Sequence, residues 1–179
     1  MKILLTNPTL NDENEIKEFV DEYNDLPEIY GVDRFEGVND FSNIVDFKEW
    51  ILKVERFKDR ESVPAHLEPQ TLYLAKDSSS GMIVGAITIR HSLNENLLRR
   101  GGHIGYGIRS TLRRKGYGSE MLRQALDKCK SMGICKVLIT CSKNNTGSSK
   151  VIQNNGGVLE SEMWDQEEGC TYLRYWIEL

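Results

Sequence analysis

Residues 71–77, TLYLAKD, and residues 81–91, GMIVGAITIRH, are apolar runs rich in β-branched residues that meet across Asp77-Ser78-Ser79-Ser80-Gly81. Polar turn residues separate them, and Gly81 is available for positive φ. The pair reads as a β-hairpin, so part of the core must be built on a sheet. A third strand is predicted over 103–109, HIGYGIR, with glycines at 105 and 107 that an ordinary interior strand avoids.

Helical stripes supply the partners for this sheet. Ile16, Phe19, Val20 and Tyr23 fall at i, i+3, i+4, i+7 and predict a helix over 12–24 that ends before Pro27. Phe47, Trp50, Ile51, Val54 and Phe57 repeat the spacing and predict a second helix near 42–58. KILLT reads as a short first strand, Pro64 and Pro69 bracket a loop, and LNENLLRRGG reads as a polar connection. Met121, Leu122, Ala125, Leu126 and Cys129 then form a buried helical stripe that Gly133 ends. The strand KVLITC follows, giving a β–α–β unit. NNTGSSKVIQNNGG reads as a helix with Asn at its start and glycines at its exit, and VLESEMW and CTYLRYWIEL as a terminal hairpin. No linker divides residues 1–179, so one mixed α/β (α+β) domain is expected.

Charge is unevenly placed. Residues 1–69 carry 17 acids against 8 Lys or Arg, whereas residues 90–130 carry 10 Lys or Arg against 3 acids. A pI near 5.5 argues against a general nucleic-acid binder, although an RNA patch over 99–115 is a rival reading of the basic segment. The acidic third reads either as a solvated helix pair or as an attractor for a cationic partner. The four cysteines, Cys129, Cys135, Cys141 and Cys170, form no metal-ligand spacing and are expected as reduced thiols without a metal. No stretch reaches membrane-span length, so a cytoplasmic protein without a membrane partner is expected.

The segment STLRRKGYGSEML sets Arg113, Arg114 and Lys115 just before Gly116-Tyr117-Gly118 and an amphipathic helix. Cations beside the positive end of a helix dipole are unfavourable by about 0.3–1 kcal/mol each. Either the turn is merely solvated, or an anion belongs there. Two glycines one residue apart let backbone N–H groups approach a ligand, and the first helical turn offers free N–H donors. Residue 121 is Met where a dinucleotide fingerprint requires Gly, and no P-loop spacing is present.

Arg113-x-x-Gly116-x-Gly118 resembles the Arg/Gln-x-x-Gly-x-Gly/Ala signature of the GNAT superfamily of acyl-CoA N-acyltransferases. The resemblance extends from about residue 70 to the end. It takes in HIGYGIR, KVLITC and the Asn145-x-x-Ser148 helix closing at Gly156-Gly157. It implies a mostly antiparallel central sheet of six to seven strands flanked by helices, with a splayed central strand pair. Residues 70–179 would form the cofactor-binding core and residues 1–69 the acceptor side. Acetyl-CoA is the implied cofactor. Its diphosphate would sit on Arg113, Arg114, Lys115, Gly116, Tyr117, Gly118 and Ser119. Pantetheine would pair with the preceding strand at Gly107, Ile108 and Arg109, next to a bulge, and Asn145 and Ser148 would close the opposite side.

Acetyl transfer to a primary amine in a ternary complex needs a neutral amine, an oxyanion donor and a proton for the departing thiolate. An amine of pKa near 10.4 is neutral at pH 7 in only about one molecule in 10³. His91, His103 and Glu95 are the candidate bases, and a strand N–H near Gly107 or Ile108 the candidate oxyanion donor. Many relatives place a tyrosine seven residues after the helix-start asparagine, and here that position is Ile152. Tyr106, Tyr117, the Ser148 hydroxyl or water must then serve. A non-catalytic acyl-CoA-binding module is the alternative reading. The expected acceptor is an amine-bearing small molecule or peptide, and a homodimer through the terminal strands stays open.

Overall fold

The computed structural model describes residues 2–24 and 45–179, within which seven strands form two antiparallel sheets. The first runs in the order β1 (Ile3–Thr6), β2 (Gln70–Asp77), β3 (Ile83–Arg90) and β4 (Ile104–Ile108). The second sets β7 (Cys170–Glu178) between β5 (Lys136–Ser142) and β6 (Val158–Asp165). Five α-helices accompany them: α1 (Glu13–Asn24), α2 (Phe47–Arg56), α3 (Glu95–Arg99), α4 (Tyr117–Ser131) and α5 (Thr146–Asn154).

Period-two alternation gives the first sheet two buried faces. Leu72, Leu74 and Ala86 pack with Ile16, Phe19, Val20, Phe47 and Trp50 of α1 and α2. Tyr73, Ala75, Val84, Ile87 and Ile89 pack with Met121, Leu122, Ala125 and Leu126 of α4. A 3-10 turn at Leu10–Asp12 precedes α1, where buried Asp12 accepts from the Thr9 N–H and hydroxyl and from Lys76 of β2. Asp46 caps α2 by accepting from the Glu49 N–H at 3.0 Å. Of the helix predicted over 42–58, residues 42–44 lie outside the described residues, as does Pro27.

Two local expectations are corrected. LNENLLRRGG contains α3, a five-residue helix capped by Asn94, which is too short to show a periodic stripe. The register of β4 on β3 runs unbroken from Gly85↔Ile108 to Ile89↔Ile104, so no bulge sits at Gly105 or Gly107. The strand–helix–strand unit β4–α4–β5 is splayed, as the family resemblance implies. Its strands belong to different sheets, and an isolated bridge, Gly102↔Ile139, is what joins them among the described residues.

At that bridge the backbones nearly touch. A Cβ on Gly102 would lie 2.3 Å from the Leu138 carbonyl oxygen, and its φ is +62°. Gly81 has a similar φ, +77°, with nothing within 4 Å of an added Cβ. Left-handed φ costs an ordinary residue about 1–2 kcal/mol, and forced overpacking adds about 1–3. Gly81→Ala should therefore show the φ penalty alone and Gly102→Ala a clearly larger loss of thermal stability; equal losses would refute the close approach.

Candidate functional site

Beyond Gly102 the two sheets separate, and the β4 edge lines the gap. The Arg109 N–H donates to the Val84 carbonyl at 2.9 Å and the Arg90 N–H to the His103 carbonyl at 2.8 Å. Antiparallel ladders alternate bonded and non-bonded pairs, so Gly105 and Gly107 turn their main-chain groups toward β3. Tyr106 and Ile108 turn theirs toward the gap. Gly85 permits this pairing, since a Cβ there would lie 2.5 Å from the Gly107 carbonyl oxygen. The gap-facing groups thus belong to Tyr106 and Ile108, whereas Gly107 and Arg109 were expected to present theirs as well. The Arg109 side chain also points elsewhere: its Nε donates to the Ile83 carbonyl at 2.9 Å and its guanidinium lies over Phe19.

The end of β4 leads through a 3-10 turn at Ser110–Leu112 into the basic segment. Arg113 is half-buried, and its Nε donates to the Ile108 carbonyl at 3.3 Å. Arg114 and Lys115 are exposed. Arg114 sits at φ +63°, a left-handed conformation that costs a side-chain-bearing residue about 1–2 kcal/mol. Gly116, at φ +86°, is the N-cap of α4 and has no side chain with which to cap it. Helix geometry leaves the N–H groups of Tyr117, Gly118 and Ser119 without intrahelical acceptors. This helix start is positive, lacks a side-chain cap and is flanked by cations. Gly118 has a second reason to be small, because a Cβ there would meet Val151 of α5 at 3.2 Å, and Tyr117 packs on the core.

Helix α5 forms the opposite wall. Asn145 caps it by accepting from the Ser148 N–H at 3.0 Å. The Tyr106 hydroxyl reaches across from β4 to the Ser148 hydroxyl at 2.9 Å. Burial pushes the Tyr106 phenol above its ordinary range, and the Ser148 bond opposes this only in part. Ile152 is fully buried in the core.

Neither His91 nor His103 is freely exposed. His103 is 8% exposed and clips the sheets together at the closed end. Its N–H donates to the Leu138 carbonyl at 2.7 Å, and its Nδ1 accepts from the Leu138 N–H at 3.0 Å. Burial, with Arg90 nearby, pulls its imidazole down to about 4. His91 lies on the β2 side of β3, where its Nε2 is 2.8 Å from the Thr71 hydroxyl and burial lowers its pKa. His103 is thus buried and His91 half-buried, each with a hydrogen bond on its ring, and Glu95 lies exposed in the first turn of α3. Sequence reasoning missed Gly85 and Gly102, whose significance is a close backbone approach, and Glu22, which the turn after β4 engages.

A sheet parted between two strands, beside a helix start of this kind, places the chain among acyl-transferring enzymes. The family model described as the acetyltransferase (GNAT) domain matches residues 3–158, and the chain belongs to that family. No curated protein matches it. Among solved structures it is similar to the ribosomal-protein-S5-alanine acetyltransferase of Vibrio fischeri, at 14% identity and a TM-score of 0.74, covering 99% of this chain and 93% of that one. A GNAT-family acetyltransferase of Bacillus anthracis is similar at 19% identity and a TM-score of 0.66, covering 99% and 95%. The microcin C7 self-immunity acetyltransferase MccE, solved with acetyl-CoA and AMP, is similar at 14% and 0.68, covering 99% and 93%. Among the described residues no helix is long and apolar enough to cross a membrane.

The His103 clip has a pH signature. A folded-state pKa of about 4 against an ordinary 6.5 means the unfolded chain binds the extra proton. The clip's contribution is complete above pH 6.5 and lost as pH falls toward 4, up to about 3 kcal/mol. His103→Asn, which keeps an acceptor but cannot titrate, should flatten the melting-temperature profile over that window. An unchanged profile would remove the clip from the account.

Proposed function

We propose that the protein is an N-acetyltransferase that moves an acetyl group from acetyl-CoA to a primary amine by direct attack in a ternary complex. The observation that carries this is the β4 edge, without a strand partner among the described residues, leading into the glycine-capped start of α4. Pantetheine, itself a chain of amides, lies along this edge and pairs with the Tyr106 main chain. The diphosphate takes the N–H groups of Tyr117, Gly118 and Ser119, with Arg113, Arg114 and Lys115 around it, and the dipole penalty of those cations reverses. Residues 70–179 bind the donor, and residues 1–69 serve the acceptor. The acidic excess of that segment favours a cationic amine.

In this reading Tyr106 supplies the main-chain pairing to pantetheine, while the Ile108 N–H, its carbonyl being held by Arg113, is kept for the thioester carbonyl and stabilises the oxyanion. Tyr106 and Ser148 stand where the departing sulfur leaves. A thiol has a pKa near 8.5 and Tyr106 one above the ordinary 10. The phenol therefore donates a hydrogen bond to the thiolate and keeps its proton. This hydroxyl pair takes over from the tyrosine that Ile152 replaces. With the His91 and His103 rings both engaged in hydrogen bonds, the amine gives its proton to water. The enzyme works in the cytoplasm.

Acetyl-CoA should raise the melting temperature of the protein, and an amine-library assay should find an acceptor that releases free thiol. With that acceptor, Tyr106→Phe together with Ser148→Ala should lower kcat by about 10²-fold while KM for acetyl-CoA changes little. No melting shift at millimolar acetyl-CoA would defeat the proposal. Binding without thiol release from any amine would favour the non-catalytic module instead.

A further inference from the structure

Outside the gap, one carboxylate holds the turn that carries the cations. Glu22, near the C-terminal end of α1, receives four hydrogen bonds from three consecutive residues that follow β4. Its Oε1 accepts from the Ser110 hydroxyl at 2.5 Å, the Thr111 N–H at 2.9 Å and the Thr111 hydroxyl at 2.9 Å. Its Oε2 accepts from Arg109 at 3.1 Å. Burial opposes the charge, but these donors outweigh it and hold the carboxyl below its usual range. Glu22 is therefore an anion at neutral pH.

The contact is more than a core ion pair. Arg109 is anchored independently by the Ile83 carbonyl, while three of the four bonds go to Ser110 and Thr111 in the turn. That turn ends at Arg113, whose N–H donates to the Ser110 carbonyl at 3.2 Å. Immediately beyond lie Arg114 in its left-handed conformation and Gly116 at the start of α4. Holding Ser110 and Thr111 fixes where the strained segment begins.

We propose that Glu22 is a positioning residue for the donor. By fixing the course of residues 110–113 from α1, it sets the geometry in which the basic turn and the α4 N–H groups receive a diphosphate. The inference rests on the functional reading above. A glutamine at position 22 cannot substitute. Its amide oxygen can accept, but its NH₂ group would face a donor, either Arg109 or the Ser110–Thr111 pair.

The test compares two donors by titration well below the melting temperature: acetyl-CoA, and acetyl-pantetheine, which has the thioester arm but no diphosphate. Glu22→Gln should weaken acetyl-CoA at least tenfold and leave acetyl-pantetheine within twofold of the wild-type value. Ser110→Ala combined with Thr111→Val, which removes two of the four donors, should weaken acetyl-CoA in the same selective way by a smaller factor, and decides alone if Glu22→Gln does not fold. Wild-type affinity for acetyl-CoA in the variants would overturn the inference. Equal loss of both donors would also overturn it, by assigning Glu22 to the fold alone. A wild-type protein that binds no acetyl-CoA would overturn the functional reading along with it.

Discussion

The contact of Gly102 and His103 with Leu138 decides what the remainder of the structure can do. There the two sheets meet, through a backbone approach that only glycine allows and a histidine ring that takes the Leu138 N–H. Because that N–H is spent on a side chain, it is withheld from a strand ladder. Beyond this point the edge of β4 has no strand partner among the described residues. Unpaired edges invite aggregation when they face solvent. This one faces an internal gap bridged by the Tyr106–Ser148 bond, with α5 on its far side.

Electrostatics follow from the same geometry. The β4 edge leads through the turn at Ser110–Leu112 to the start of α4, so the outward N–H groups of Tyr106 and Ile108 are followed along the chain by the free N–H groups of the helix. Arg113, Arg114 and Lys115 gather positive charge at the helix start, in a chain whose net charge is −4. The strained Arg114 backbone and the missing side-chain cap at Gly116 are local losses that make sense if a ligand supplies the compensation. Glu22 ties this region to α1, the element on the opposite face of the sheet. Helix α1 and residues 109–111 thereby share one hydrogen-bonded network.

Much of this was legible in the sequence, for definable reasons. The hairpin at 71–91, the stripes of α1 and α4, the terminal hairpin and the glycine turn are local patterns, and local periodicity carries them. Close approaches between distant segments were not legible. Gly102 reads as loop until it is set against Leu138, 36 positions on. Gly85 reads as a weak point in a strand until it is set against Gly107. His103 shows the same limit: a strand-end histidine looks available in sequence, and only its pairing with β5 reveals it as packed. Which glycines of β4 present their main chain, and to which side, depends on register, and register comes from the partner strand.

Residue-resolved amide hydrogen exchange across β4 and the start of α4, with and without acetyl-CoA, tests the central claim most directly. Without ligand, Gly107 and Arg109 should exchange slowly, because their N–H groups bond to β3, while Tyr106 and Ile108 exchange fast. Acetyl-CoA should slow Tyr106, Ile108 and Tyr117 through Ser119 and leave Gly107 and Arg109 as they were. Equal protection of these four amides, Tyr106 through Arg109, in the free protein, or no response of Ile108 to the ligand, would contradict the account.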